Sequence, residues 1–125
     1  MSFAFVMCVN GGNMKIKQVR EILEASVLCG EELLDKEVLS ACAADLMSDV
    51  LAFVKNEALL LTGLNNTQVI HTADMMDINC IIFVRGKIPT PEIIEYARLK
   101  GMILMSTPCK MYYASGKLYA AGLGA

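Results

Sequence analysis

The chain has 125 residues, a length that suits one domain with one sizeable core. Its net charge of −2 excludes the basic footprint that nucleic-acid binding requires. No apolar run approaches the length of a membrane-spanning helix, so a membrane partner is not expected either.

In chain order, Phe3–Val9 is apolar, but no Lys or Arg precedes it and Asn10-Gly11-Gly12 follows, which makes a poor signal peptide. Residues 1–13 read as an N-terminal extension and residues 14–125 as the working domain, with an added edge strand over Phe3–Val9 as the structural alternative. Lys15–Glu24 carries Ile16, Val19, Ile22 and Leu23 at helical spacing and predicts an amphipathic helix. Val27–Gly30 reads as a short strand ending in a turn, Glu31–Glu37 as a charged surface connection, and Val38–Ala43 as the next strand. Asp45 is placed to cap a helix whose inner face would carry Leu46, Val50, Leu51 and Phe53. Lys55-Asn56-Glu57 then turns the chain.

From Ala58 onward one unit occurs three times: a short apolar run, a turn, then a helical stretch. The runs are Ala58–Thr62, Cys80–Val84 and Met102–Ser106; the helices are Thr67–Met76, Pro91–Lys100 and Lys110–Ala121. Thr90-Pro91-Glu92 is a clear helix start and Gly101 a stop. Alternation of this kind describes βα units feeding a parallel sheet, with right-handed crossovers in the second half. The predicted architecture is α/β: a single three-layer α/β/α domain with a mainly parallel sheet. Such a sheet gathers its strand C-termini and helix N-termini on one edge, where open α/β folds bind ligands.

The residues predicted on that edge are Thr62, Gly63, Asn65 and Asn66 from one loop, Arg85, Gly86 and Lys87 from the next, and Ser106, Thr107 and Lys110 from the last. Three helix N-termini and three cations there would suit a phosphate, a nucleotide or a carboxylate. The competing reading is that these residues cap helices and turn loops.

Other motifs carry less. Ser115-Gly116-Lys117 looks like the tail of a phosphate-binding loop, but Met111 and Leu118 stand where Gly and Ser or Thr are needed, so the motif is rejected and Gly116 is assigned to close helix packing. His71, beside Thr67 and Asp74, reads as a structural histidine rather than a base. The methionines, Met75, Met76, Met102 and Met105 among them, read as core and interface filler. Five cysteines without a CxxC pair imply free thiols in a reducing cytoplasm; Cys109, after Pro108 at a helix start, is the one whose position favours a thiolate. With one histidine, a zinc site is not expected, and neither metal, cofactor nor catalytic residue is assigned.

With these elements in place, residues from about Met14 to Leu123 resemble the DRTGG domain, a small α/β module. The closest stretches are Asp45–Phe53, Ala58–Val69, Cys80–Ile93 and Ser106–Leu118. The Asp-Arg of the family's name falls on Asn65 and Asn66, and its Thr-Gly-Gly on Val84, Arg85 and Gly86, so Gly86 alone keeps the family residue. Asn65 keeps the shape of Asp without its charge, and Arg85 supplies a guanidinium on the loop next to the one that lost it. In the family this domain accompanies phosphate acetyltransferases and CBS-domain pyrophosphatases and also occurs alone. The resemblance implies a regulatory or accessory module and a homodimer.

Together these readings predict a cytoplasmic, non-catalytic regulatory module that binds a small anionic ligand, with a nucleotide as one candidate, or a partner protein such as an enzyme. The alternatives are a structural interaction protein without a small ligand and, third, a small phosphoryl- or acyl-transfer enzyme. A homodimer is also expected from composition, because 55% apolar residues exceed the roughly 45–50% of ordinary soluble domains. The C-terminal helix, with Met111, Tyr112, Tyr113 and Tyr119, and the Asp45–Val54 helix are the expected contributors.

Overall fold

A computed structural model of the protein describes residues 13–53 and 57–124. The predicted extension up to Gly12, the turn at Lys55-Asn56 and the side chain of Phe53 lie outside the described residues.

The described chain opens with a two-residue strand, β1 (Met14–Lys15), which runs directly into helix α1 (Ile16–Leu23). The predicted periodicity of α1 holds: Ile16, Val19, Ile22 and Leu23 are its buried face. Next come β2 (Ser26–Cys29), one 3₁₀ turn (Glu31–Leu33), β3 (Glu37–Val38) and β4 (Ser40–Ala43). The expected single strand Val38–Ala43 is therefore two pieces. β3 pairs antiparallel with β1 in a small ribbon, while β4 joins the main sheet. The split falls at exposed Leu39, whose N–H donates to Glu57 O.

The βα repeat follows as α2 (Met47–Phe53), β5 (Ala58–Thr62), α3 (Thr67–Met75), β6 (Cys80–Phe83), α4 (Pro91–Leu99), β7 (Ile103–Ser106) and α5 (Met111–Ala120). The main sheet has the order β2-β7-β6-β5-β4. Strands β4 to β7 are parallel nearest neighbours, and β2 closes the β7 edge antiparallel. The β4 edge is met by the C-terminal tail, where Ala41 N–H donates to Gly124 O.

Continuous apolar strands are the signature of a sheet covered on both faces, and alternate residues here serve two cores. Leu59, Leu61, Cys80, Ile82, Ile103 and Met105 face α1 and α5. Leu60, Ile81, Phe83 and Leu104 face α2, α3 and α4. Leu59, Leu60 and Leu61 are fully buried, so truncating any one of them to Ala would cost about 2–5 kcal/mol.

Several expectations need correction. The inner face of α2 is Met47 and Val50; Leu46 and Leu51 are exposed, since the helix starts two residues after Asp45 and its angular phase shifts accordingly. Met75 is 69% exposed rather than core, because α3 turns Val69, Ile70 and Ala73 inward. Gly116 lies on the open side of α5, and a Cβ there would meet nothing within 4 Å, so no packing within the chain calls for a glycine.

Candidate functional site

The C-terminal ends of β4, β5, β6 and β7 share one edge of the sheet because the strands are parallel. All ten sequence-predicted site residues sit on this rim, and the structure divides them by what their polar atoms do.

The buried hydroxyls are committed inside the fold. Thr62 Oγ1 donates to Asp45 Oδ1 (3.1 Å) and accepts from Leu64 N–H (3.2 Å). Ser106 Oγ donates to Lys87 O (2.8 Å), and Thr107 Oγ1 donates to Leu23 O (2.6 Å) while accepting from Cys109 N–H. These bonds tie β5 to the β4 loop, β7 to the β6 loop, and Thr107 to the last residue of α1. Asn66 caps α3 by accepting Val69 N–H, as its position before Thr67 dictates. The Asn65 amide donates to Ile88 O (3.1 Å), joining the β5 and β6 loops.

The cations face outward. Arg85, Lys87 and Lys110 are exposed, and none takes part in an ion pair among the described residues, where the pairs are Lys17–Asp35, Arg98–Glu95 and Lys100–Asp74. Arg85 adopts φ +59°, a left-handed conformation uncommon outside glycine. Two cross-loop bonds hold it there: Arg85 N–H donates to Cys109 O (2.8 Å) and Gly86 N–H to Thr107 O (2.7 Å). The β6 loop is thereby fixed to the β7 loop. Gly86 has φ +70° and open space around it, so the backbone beside Arg85 can be approached closely.

One rim residue was missed as a site candidate. Asp45, read from sequence as a helix cap, sends its carboxylate across to the β5 loop instead. Oδ1 accepts Gly63 N–H at 2.6 Å in addition to the Thr62 hydroxyl. Gly63 is the crossing point of this arrangement. A Cβ there would lie 2.8 Å from Arg85 Nη2, 3.4 Å from Asp45 Oδ1 and 3.5 Å from Oδ2. The Asp45 carboxylate and the Arg85 guanidinium thus flank one glycine. Sequence spacing gives no signal for this, because position 45 and position 63 meet only through the β4–β5 register.

The remaining candidates lie elsewhere. His71 is exposed on α3, with Nδ1 3.2 Å from Tyr96 Oη and ring centroids 5.3 Å apart. Its neighbour Asp74 pairs with Lys100. Cys109 is half-buried, and its thiol donates to Leu23 O (3.8 Å). Ser115 lies within α5 and donates to Met111 O, while Lys117 Nζ sits 5.0 Å above the Tyr113 ring. Cys80 is fully buried, and loss of hydration pushes its thiol up to about 12; burial also raises Cys29 and Cys42. Among the described residues no cluster of His, Cys, Asp and Glu could hold a metal ion, and no helix is long and apolar enough to cross a membrane.

A second surface feature is a broad groove of about 1110 Å³ beside α5. Ala41, Ala43 and Leu61 contribute to its lining, with Tyr112, Tyr119 and Gly116 from α5 and Glu21 and Glu24 from α1. Tyr112 is 92% exposed, and Tyr113 and Tyr119 are also exposed.

The sequence model of the DRTGG domain matches residues 18–121. No curated protein matches the chain. Among solved structures, the fold resembles that of the CBS and DRTGG domains of the regulatory region of Clostridium perfringens pyrophosphatase, determined with the activator diadenosine tetraphosphate. The TM-score is 0.68 at 17% identity; the match covers 98% of this chain and 58% of that one.

Proposed function

The chain belongs to the DRTGG domain family, and on that premise we propose that it is a non-catalytic regulatory module whose rim binds a small anionic ligand of the nucleotide class. The observation that carries this reading is the set of three exposed cations, Arg85, Lys87 and Lys110, on the strand-end edge, two of them on a loop that backbone hydrogen bonds hold rigid. A backbone already held in place lowers the ordering cost of anion binding to that of the side chains themselves. The C. perfringens regulatory region takes a dinucleotide polyphosphate as activator, which supports the nucleotide class. That region carries CBS domains beside its DRTGG domain. Four free thiols among the described residues fit a reducing cytoplasm.

A thermal-shift screen with nucleotides and acyl phosphates, together with mass spectrometry of the protein as purified, tests the reading. Arg85→Ala should then weaken the ligand found by about 1.5–3 kcal/mol, the worth of one charge-assisted hydrogen bond. Unchanged affinity would remove Arg85 from the site.

The second reading, an interaction module without a small ligand, draws on the groove beside α5. Three exposed tyrosines bring large contact area with a polar tip, the composition of interface cores. On this reading the face is self-complementary and the chain works as a homodimer, with an enzyme partner recruited elsewhere on its surface. A ligand hit at the rim and a dimer through α5 are compatible; a monomer with no ligand response would leave neither.

A further inference from the structure

We propose that Asp45 is the specificity-determining residue of the rim, accepting a hydrogen bond from a sugar hydroxyl of a ligand whose phosphates are held by Arg85, Lys87 and Lys110, so that the ligand is a nucleoside di- or triphosphate with free ribose hydroxyls. This rests on the rim reading above and adds to it a donor requirement that a bare anion does not meet.

Asp45 Oδ1 is fixed by two neutral donors, Gly63 N–H and the Thr62 hydroxyl. No cation pairs with Asp45 among the described residues, and no donor among them reaches Oδ2. An ionised carboxylate has about four acceptor positions; here two are spent on fixing the group and the others remain for a ligand. Asp45 is exposed, so a ligand can reach its carboxylate.

Next comes what stands opposite. Arg85 Nη2 lies over the same Gly63 that Asp45 grips, without a direct ion pair between them. A donor and an acceptor of opposite charge flanking one small residue match a ligand that carries both kinds of group close together. Inorganic phosphate alone would be repelled by Asp45. A phosphorylated ribose offers anionic oxygens to the guanidinium and hydroxyl donors to the carboxylate. Acidic side chains meet ribose hydroxyls in this way at the strand-end edge of other open α/β sheets. Three cations on the rim are in proportion to a di- or triphosphate.

The test is titration calorimetry with three probes: ADP, 2′,3′-dideoxyadenosine diphosphate and inorganic pyrophosphate, each against the wild-type protein and Asp45→Asn. The asparagine keeps an acceptor for Gly63 N–H and Thr62, and its melting temperature checks the fold. The expected result is that ADP binds the wild type at least roughly tenfold more tightly than the dideoxy analogue, the size of one charge-assisted hydrogen bond. Asp45→Asn should bring that ratio to about threefold or less while pyrophosphate binding stays level or improves, because a repulsive charge is gone. Equal wild-type affinities for ADP and its dideoxy analogue would overturn the role of Asp45; if pyrophosphate still binds, the anion reading of the rim stands without it. Binding of none of the three probes overturns both. Should Asp45→Asn fail to fold, the wild-type ratio alone decides.

Discussion

Gly30 is where the antiparallel edge strand β2 ends against β7, and replacing it with alanine should destabilise the fold strongly. The backbone there has φ +84°, and a Cβ would stand 2.7 Å from Met102 O, 2.8 Å from Ile103 Cα and 2.9 Å from Ile103 Cγ1. Two of those three atoms are backbone at the start of β7, so they cannot swing aside. Left-handed backbone with a Cβ costs about 1–2 kcal/mol, and forcing a methyl into packed surroundings costs about 1–3 kcal/mol. Restricting the unfolded chain returns about 0.4–1 kcal/mol. The net loss for Gly30→Ala is therefore about 2–4 kcal/mol, which for a domain of this size lowers the melting temperature by about 10 °C. Gly101→Ala is the matched control: φ is +74° but nothing lies within 4 Å, so it carries the conformational cost without the collision. Gly116→Ala runs the other way, because a helical position with open space gains about 1 kcal/mol from alanine. Thermal melts followed by circular dichroism give all three. If Gly30→Ala melts within about 2 °C of Gly101→Ala, the collision with β7 does not exist and the close approach of β2 is wrong.

Alkaline pH should destabilise the fold through Cys80: the unfolded thiol ionises near 9.0 while the buried one holds its proton to about 12, so stability is flat below pH 9 and falls between pH 9 and 12, by about 2 kcal/mol at pH 10.5 from this residue alone. Denaturant melts at pH 8 and 10.5 should show a smaller loss in Cys80→Ala; equal losses would count against the assignment. Size exclusion with light scattering should find a dimer at micromolar concentration that Tyr112→Asp dissociates, with the melting temperature little changed because Tyr112 is 92% exposed; a wild-type monomer refutes the dimer. A chain beginning at Met14 should melt like the full sequence, since Met14 and Ile16 are the first buried core positions of the described chain; a large loss would mean that residues 1–13 contribute to the fold.

The sheet was legible because parallel strands covered on both faces must be apolar at every position. Ala58–Thr62 is buried from end to end, whereas the edge strands β2 and β4 are only partly buried. The helix starts at Thr67 and Pro91 were legible for a local reason: a cap and its N–H partner lie three residues apart. What failed to show were features fixed by distant partners. β2 has the same apolar character as its neighbours, and its antiparallel direction depends on pairing with β7 more than seventy residues later. The phase of α2 depends on where its first turn forms: the helix starts at Met47, one residue later than a cap at Asp45 implies, and Met47 takes the buried place expected for Leu46.

The rim illustrates the same division at the level of chemistry. Serine, threonine and asparagine in strand-end loops have the right groups for holding a ligand and equally for holding the loops to one another, and sequence alone weighs the two alike. Burial separates them. Thr62 and Thr107 are wholly inside, with hydroxyls spent on Asp45 and on Leu23 O. They do not touch solvent, so their contribution to any site is to fix what does. Arg85 depends on Thr107, since the bond from Gly86 N–H to Thr107 O holds the left-handed turn in place. Asp45 depends on Thr62 through the side chain, whose hydroxyl donates to Oδ1. The outward groups are thus carried by inward ones: the Thr62 hydroxyl holds the Asp45 carboxylate, and the Thr107 carbonyl holds the turn that bears Arg85. Thr107→Val, which keeps the shape and removes the hydroxyl, would leave Leu23 O without that donor and free Cys109 N–H; an effect on ligand affinity from so deeply buried a residue would have to travel through the Arg85 loop.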